Sequence, residues 1–113
     1  LIFEHRPRID DVKAGSNPRI LFNVKDVDGS VVDLSASTVS VVLYFRDEEV
    51  TVNKTGAVNG AGTAMPQIYV DLATADTAAR KPQRVDVYAT VTKGGAVYKV
   101  TCFFRLLESA PPS

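Results

Sequence analysis

Nucleophilic catalysis needs a serine or cysteine with a base beside it, most often histidine. This chain holds one histidine, His5, between Glu4 and Arg6, and one cysteine, Cys102, inside an apolar run. His5 reads as a solvent-facing side chain, and Cys102 as a small buried hydrophobe rather than a reactive thiol. A lone cysteine allows no intrachain disulfide, which favours folding in a reducing compartment. Asp26-Val27-Asp28-Gly29-Ser30 resembles the start of a calcium loop. Such a loop needs glycine sixth and glutamate twelfth; here Gly29 is fourth and Ser37 twelfth, so a β-turn with aspartates bonded to their own backbone is the expectation.

Phosphate loops require glycines followed by a lysine and a helix, or GxGxxG at a strand-to-helix junction; Gly56, Gly60 and Gly62 have neither. Asp33, Asp71 and Asp86 form a carboxylate set only if the fold brings them together, and outward-facing carboxylates on a sheet are usually solvated. The expectation is therefore a protein that is not an enzyme, with no metal and no cofactor.

The surface is what remains. Val42, Tyr44, Tyr88 and Phe103 fall on the outward registers of strands expected to be adjacent or opposed. Exposed aromatic residues are enriched where another protein docks. Two readings stay open: a docking patch, or a face covered by the chain's own N-terminal arm or its loop from Ala73 to Pro82. Tyr44, Tyr69 and Tyr88 would serve a competing role, stacking on sugar rings in a cell-surface or carbohydrate-binding module.

Composition narrows the classes. The 113 residues predict one domain able to bury roughly two-thirds of its unfolded surface. Hydrophobic content of 45% and charged content of 23% are those of a globular domain. Thirteen basic residues balance thirteen acidic ones, without the cationic excess that nucleic acid binding normally needs. No apolar run approaches the ~20 residues of a membrane-spanning helix, so neither nucleic acid nor membrane is an expected partner. A start at Leu1 implies a processed or cropped chain.

These side chains need a scaffold, and its central unit runs from Arg19 to Arg46. Ile20, Phe22 and Val24 alternate with Leu21, Asn23 and Lys25, the period of a strand with one buried face. Asp28-Gly29 turns the chain. Thr38 to Arg46 follows, with Val39, Val41, Leu43 and Phe45 on one face. Asp47-Glu48-Glu49 predicts a solvated turn, Val50 to Thr55 another strand, Gly56 to Gly62 a flexible connection and Gln67 to Leu72 a short strand. Ala73 to Arg80 is the one helix-compatible window, with Thr74 or Asp76 as cap. Val85, Val87, Ala89 and Val91 point inward on the next strand. Lys93-Gly94-Gly95-Ala96 signals a hairpin into Val97 to Leu107, where Val100, Cys102, Phe104 and Leu106 share a face with Tyr98.

Leu1 to Pro18 lacks a sustained period. It reads as an extended arm with one short edge strand at Ile2 to His5. Its apolar residues predict that it lies along its own sandwich or docks on a neighbour, which makes Ile2, Phe3, Arg6, Arg8 and Ile9 candidate contacts. The expected architecture is all-β: an immunoglobulin-like antiparallel sandwich of about seven strands at 18–108, an arm at 1–17 and a tail or linker at 109–113. The chain has no tryptophan, so the Cys…Trp…Cys hallmark of antibody domains is missing.

Phe22-Asn23-Val24-Lys25-Asp26-Val27-Asp28-Gly29-Ser30-Val31-Val32-Asp33-Leu34-Ser35, followed by Thr38-Val39-Ser40-Val41-Val42-Leu43, resembles the N-terminal immunoglobulin-like domain of bacteriophage baseplate upper proteins. The likeness extends over about Pro18 to Leu107, through Ile68–Leu72, the glycine hairpin and the last strand. Two departures stand out: the chain stops at Ser113 without the family's helical linker, and its lead-in is longer. The resemblance implies a virion structural protein of the baseplate, tail, neck or head decoration, made in the host cytoplasm. Its implied partners are other virion proteins, with repeated copies in the particle, and it implies no catalytic residues.

Overall fold

The computed structural model describes residues 9–25, 28, 30, 32–60, 62 and 66–108, and residues 2–4 by their backbone. In chain order the strands are β1 (Ile2–Glu4), β2 (Val12–Lys13), β3 (Arg19–Lys25), β4 (Thr38–Phe45), β5 (Val50–Thr55), β6 (Ala57–Asn59) and β7 (Gln67–Asp71). After the single helical turn α1 (Thr74–Thr77) come β8 (Gln83–Lys93) and β9 (Ala96–Leu107).

The strands form two sheets, ordered β1-β3-β7-β6 and β2-β9-β8-β4-β5. Lettered with β1 and β2 as two halves of a first strand, these read A-B-E-D and A′-G-F-C-C′. That is the strand arrangement of an immunoglobulin-like sandwich. All neighbours pair antiparallel except β2 with β9, which run parallel. The expected all-β sandwich is what the chain adopts.

Alternation explains the layers. β3 buries Ile20, Phe22 and Val24; β4 buries Val39, Val41, Leu43 and Phe45; β8 buries Val85, Val87, Ala89 and Val91. Phe22, Phe45 and Phe104 are among the largest fully buried side chains. Each stabilises the fold by about 1.5–3 kcal/mol relative to an exposed ring. Lys93 pairs with Ala96, so Gly94-Gly95 is a two-residue hairpin loop, and Gly94 takes the positive φ of 59° that such a turn demands.

The described residues form nine strands where about seven are expected, because two very short ones carry no periodic signal. One is β6, which pairs with β7 through Ala57↔Tyr69 and lies inside the stretch expected as a flexible connection. Gly56 is the crossing point between the sheets. Its N–H donates to the Val39 carbonyl at 2.8 Å, and an added Cβ would lie 2.6 Å from Val39 Cγ1 and 2.7 Å from the Tyr69 carbonyl oxygen. The other is β2, in the segment expected as an arm. β1 pairs with β3, β2 pairs with β9, and Val12 enters the core. The lead-in thus contributes an edge strand to each sheet.

Two more local features refine the expectation. Asp47-Glu48-Glu49 is a turn with Asp47 and Glu49 exposed, but Glu48 is only partly so: it accepts from Gln83 Nε2 and from the Lys81 N–H, and lies 3.8 Å from Arg80. The buried Gln83 returns the favour, its Oε1 accepting the Asp47 and Glu48 N–H groups. At α1 it is Asp76, one of the two residues expected to cap, that accepts the Ala73 N–H at 2.7 Å, and it also pairs with Lys54 at 2.8 Å. Thr77, fully buried, accepts the Gly15 N–H at 2.9 Å and ties the lead-in to this corner.

Candidate docking face

The outward side of the five-stranded sheet gathers four of the sequence candidates. Cross-strand register sets Val42 opposite Tyr88, and Tyr88 opposite Thr101. One row along, Tyr44 lies opposite Asp86, and Asp86 opposite Phe103. Val42, Tyr44, Tyr88 and Phe103 therefore form one patch across three strands. Tyr88 is 44% exposed, and the other three are half-buried. The 73–82 segment does not cover Tyr88; α1 is tied to Gly15 and Lys54 instead.

Ile9 joins the rim of this face, its N–H donating to the Phe103 carbonyl at 2.9 Å while its side chain packs on the core. Ile2 and Phe3 belong to β1 on the other sheet and so do not meet the patch. Arg6, Arg8 and His5 lie outside the described residues.

Sequence reasoning missed what sits beneath the aromatic side chains. Asp86, expected to be solvated, is only 5% exposed. Its Oδ2 accepts from Arg46 Nε at 2.6 Å and its Oδ1 from Arg84 Nε at 2.9 Å. Arg84 also lies 3.9 Å over the Phe103 ring, a cation–π contact that fixes the guanidinium in place. Burial pushes the Asp86 carboxyl up, but the two guanidiniums outweigh it and hold it below the usual carboxylate range. The signal was an Arg-x-Asp step on an otherwise apolar strand, which becomes informative only once Arg46 is known to lie beside Arg84. These residues surround a shallow depression of about 280 Å³.

The three carboxylates considered for catalysis do not converge. Asp71 makes a two-pronged ion pair with Arg19 on the other sheet, and Asp33 accepts from Ser35 in a loop. Asp28 bonds the Ser30 N–H, a side-chain-to-backbone turn as expected of that segment. Asp26 and Gly29 lie outside the described residues. Among the described residues no three histidine, cysteine or acidic side chains are grouped to hold a metal. Cys102 is buried, and that burial pushes its thiol up to about 12. Tyr69, the remaining tyrosine offered for sugar stacking, is on the opposite sheet with the Arg19 guanidinium 4.1 Å over its ring.

Compared with family models, with curated proteins and with solved structures, the chain has no match.

Proposed function

We propose that the chain is a non-enzymatic assembly module of a bacteriophage virion, a rigid sandwich that docks other virion proteins through the outward face of its five-stranded sheet. The observation that carries this reading is the patch of Val42, Tyr44, Tyr88 and Phe103 assembled from three strands and left partly open. Aromatic side chains supply large contact area at low entropic cost, and strand backbones hold them in fixed relative positions. The virion assignment draws on the likeness of residues 18–107 to baseplate upper proteins.

The sugar-binding alternative has weaker support, because only Tyr44 and Tyr88 share a face and Arg19 occupies the ring of Tyr69. Quantitative mass spectrometry of gradient-purified particles, from the virus that encodes the chain, tests the proposal. The chain is expected at a fixed ratio to the major capsid protein. Its presence in the lysate but absence from particles would refute the virion reading.

A further inference from the structure

Two arginines on this face keep hydrogen-bond donors left over after neutralising Asp86. Arg46 and Arg84 both spend their Nε–H on the one buried carboxylate. Each guanidinium carries five N–H donors, so four remain on each. Among the described residues no hydrogen bond engages those Nη ends, and Glu49 in the adjoining turn makes no ion pair with Arg46. Both side chains stay about half exposed, at 51% and 43%. Arg105 lies opposite Arg84, so a row of three guanidiniums crosses the sheet, with like charges side by side. Asp86 offsets the repulsion between Arg46 and Arg84, and the three guanidiniums still outnumber that one carboxylate, so the row keeps a cationic excess.

The surroundings define that anion. The depression between the two forks is lined by Arg46, Arg84, Asp86, Tyr88, Thr101 and Phe103, so a ring or aliphatic side chain has a wall to rest on beside the cationic end. Two rows from the arginines, Asn53, Val42, Tyr88 and Thr101 carry no charge. A polyanion such as a nucleic acid or sulfated glycan would need cations spaced along its track. Here the arginines are clustered in one row, and the next cation on the same face of β8 and β9, Lys99 opposite Thr90, lies three rows away.

We infer that Arg46 and Arg84 form a carboxylate-binding fork for an acidic residue of a partner protein, with an apolar side chain of the same segment seated in the depression that Tyr88 and Phe103 line. In an extended segment, residues two apart on one face are separated by roughly 6.8 Å, which matches the step from the arginine row to the Tyr44–Asp86–Phe103 row. The pattern recognised is therefore acidic-x-apolar. Arginine suits this task because its planar fork grips both carboxylate oxygens, which a lysine cannot do. This inference rests on reading the face as the docking surface and names what it docks.

The test is an NMR titration of the whole chain with acetyl-Glu-Thr-Phe-Thr-amide, observing the arginine Nε–H and aromatic signals. Shifts are expected at Arg46, Arg84, Tyr88 and Phe103, and Glu→Gln in the peptide should weaken binding about tenfold. Phe→Gly in the peptide should weaken it several-fold. The variant Arg84→Lys keeps a charge beside Asp86 and should fold, yet lose most of the preference for Glu over Gln. Equal shifts at Arg19 and Arg80, equal binding of the Glu and Gln peptides, or no shift up to about 10 mM peptide would overturn the inference. Saturation of the face by heparin or oligothymidylate at lower concentration than the peptide would also overturn it. A failed titration with particle incorporation intact refutes carboxylate recognition alone; the converse refutes the virion reading alone.

Discussion

Replacing Asp86 by Asn removes one negative charge from between two guanidiniums without changing side-chain shape. The carboxylate is 5% exposed and takes its two short bonds, 2.6 and 2.9 Å, from Arg46 and Arg84. Breaking a fully buried ion pair costs about 3–5 kcal/mol. Both guanidiniums are half in water and can be re-solvated, so the loss attached to Asp86 is discounted to about 2 kcal/mol. For a chain of this size that lowers the melting temperature by about 8 °C.

The pH dependence carries the mechanism. Asp86 is held below the usual carboxylate range in the folded protein, so folded Asp86 binds fewer protons than unfolded Asp86. Its contribution is complete above the unfolded value of about 3.9 and is lost as pH falls through the lower folded value. Thermal unfolding followed by circular dichroism should therefore separate wild type from Asp86→Asn at pH 7 and bring them together toward pH 2. A gap below about 0.5 kcal/mol at pH 7, or one that does not shrink in acid, would refute the reasoning.

Gly56→Ala should destabilise by about 1–3 kcal/mol in denaturant unfolding, because its Cβ would press on Val39 and on the Tyr69 backbone, and the latter cannot swing aside. Thr77→Ala should speed hydrogen exchange at the Gly15 amide, whose acceptor it removes, at a cost of about 1–2 kcal/mol. Cys102 should resist a disulfide-exchange reagent at pH 8 in the native protein and react once guanidinium unfolds it, since burial pushes its thiol up to about 12. Tyr88→Ala should leave the melting temperature within about 2 °C, given how open the side chain is, while impairing incorporation into particles.

Much of the framework was legible because strand alternation is a local code. Ile20, Phe22 and Val24, or Val85, Val87 and Ala89, declare their face without reference to any other strand, and Gly94-Gly95 declares its turn. The same code placed Val42, Tyr44, Tyr88 and Phe103 outward. It says nothing of register, which is set by residues far apart in the chain. That Arg46 flanks Arg84, and that both close over Asp86, depends on how β4 and β8 align, so a carboxylate on an outward register was read as wet when it is buried. β2 and β6 escaped for a related reason: two or three residues cannot display a period, and their pairing comes from β9 and β7.

Hydroxyl-radical footprinting of the free protein and of the assembled particle reads the docking claim most directly. Oxidation of Tyr44, Tyr88 and Phe103 should fall on assembly, while that of Tyr69 on the opposite sheet stays unchanged. Equal oxidation of Tyr88 in both states, or protection confined to the Tyr69 side, would contradict the account.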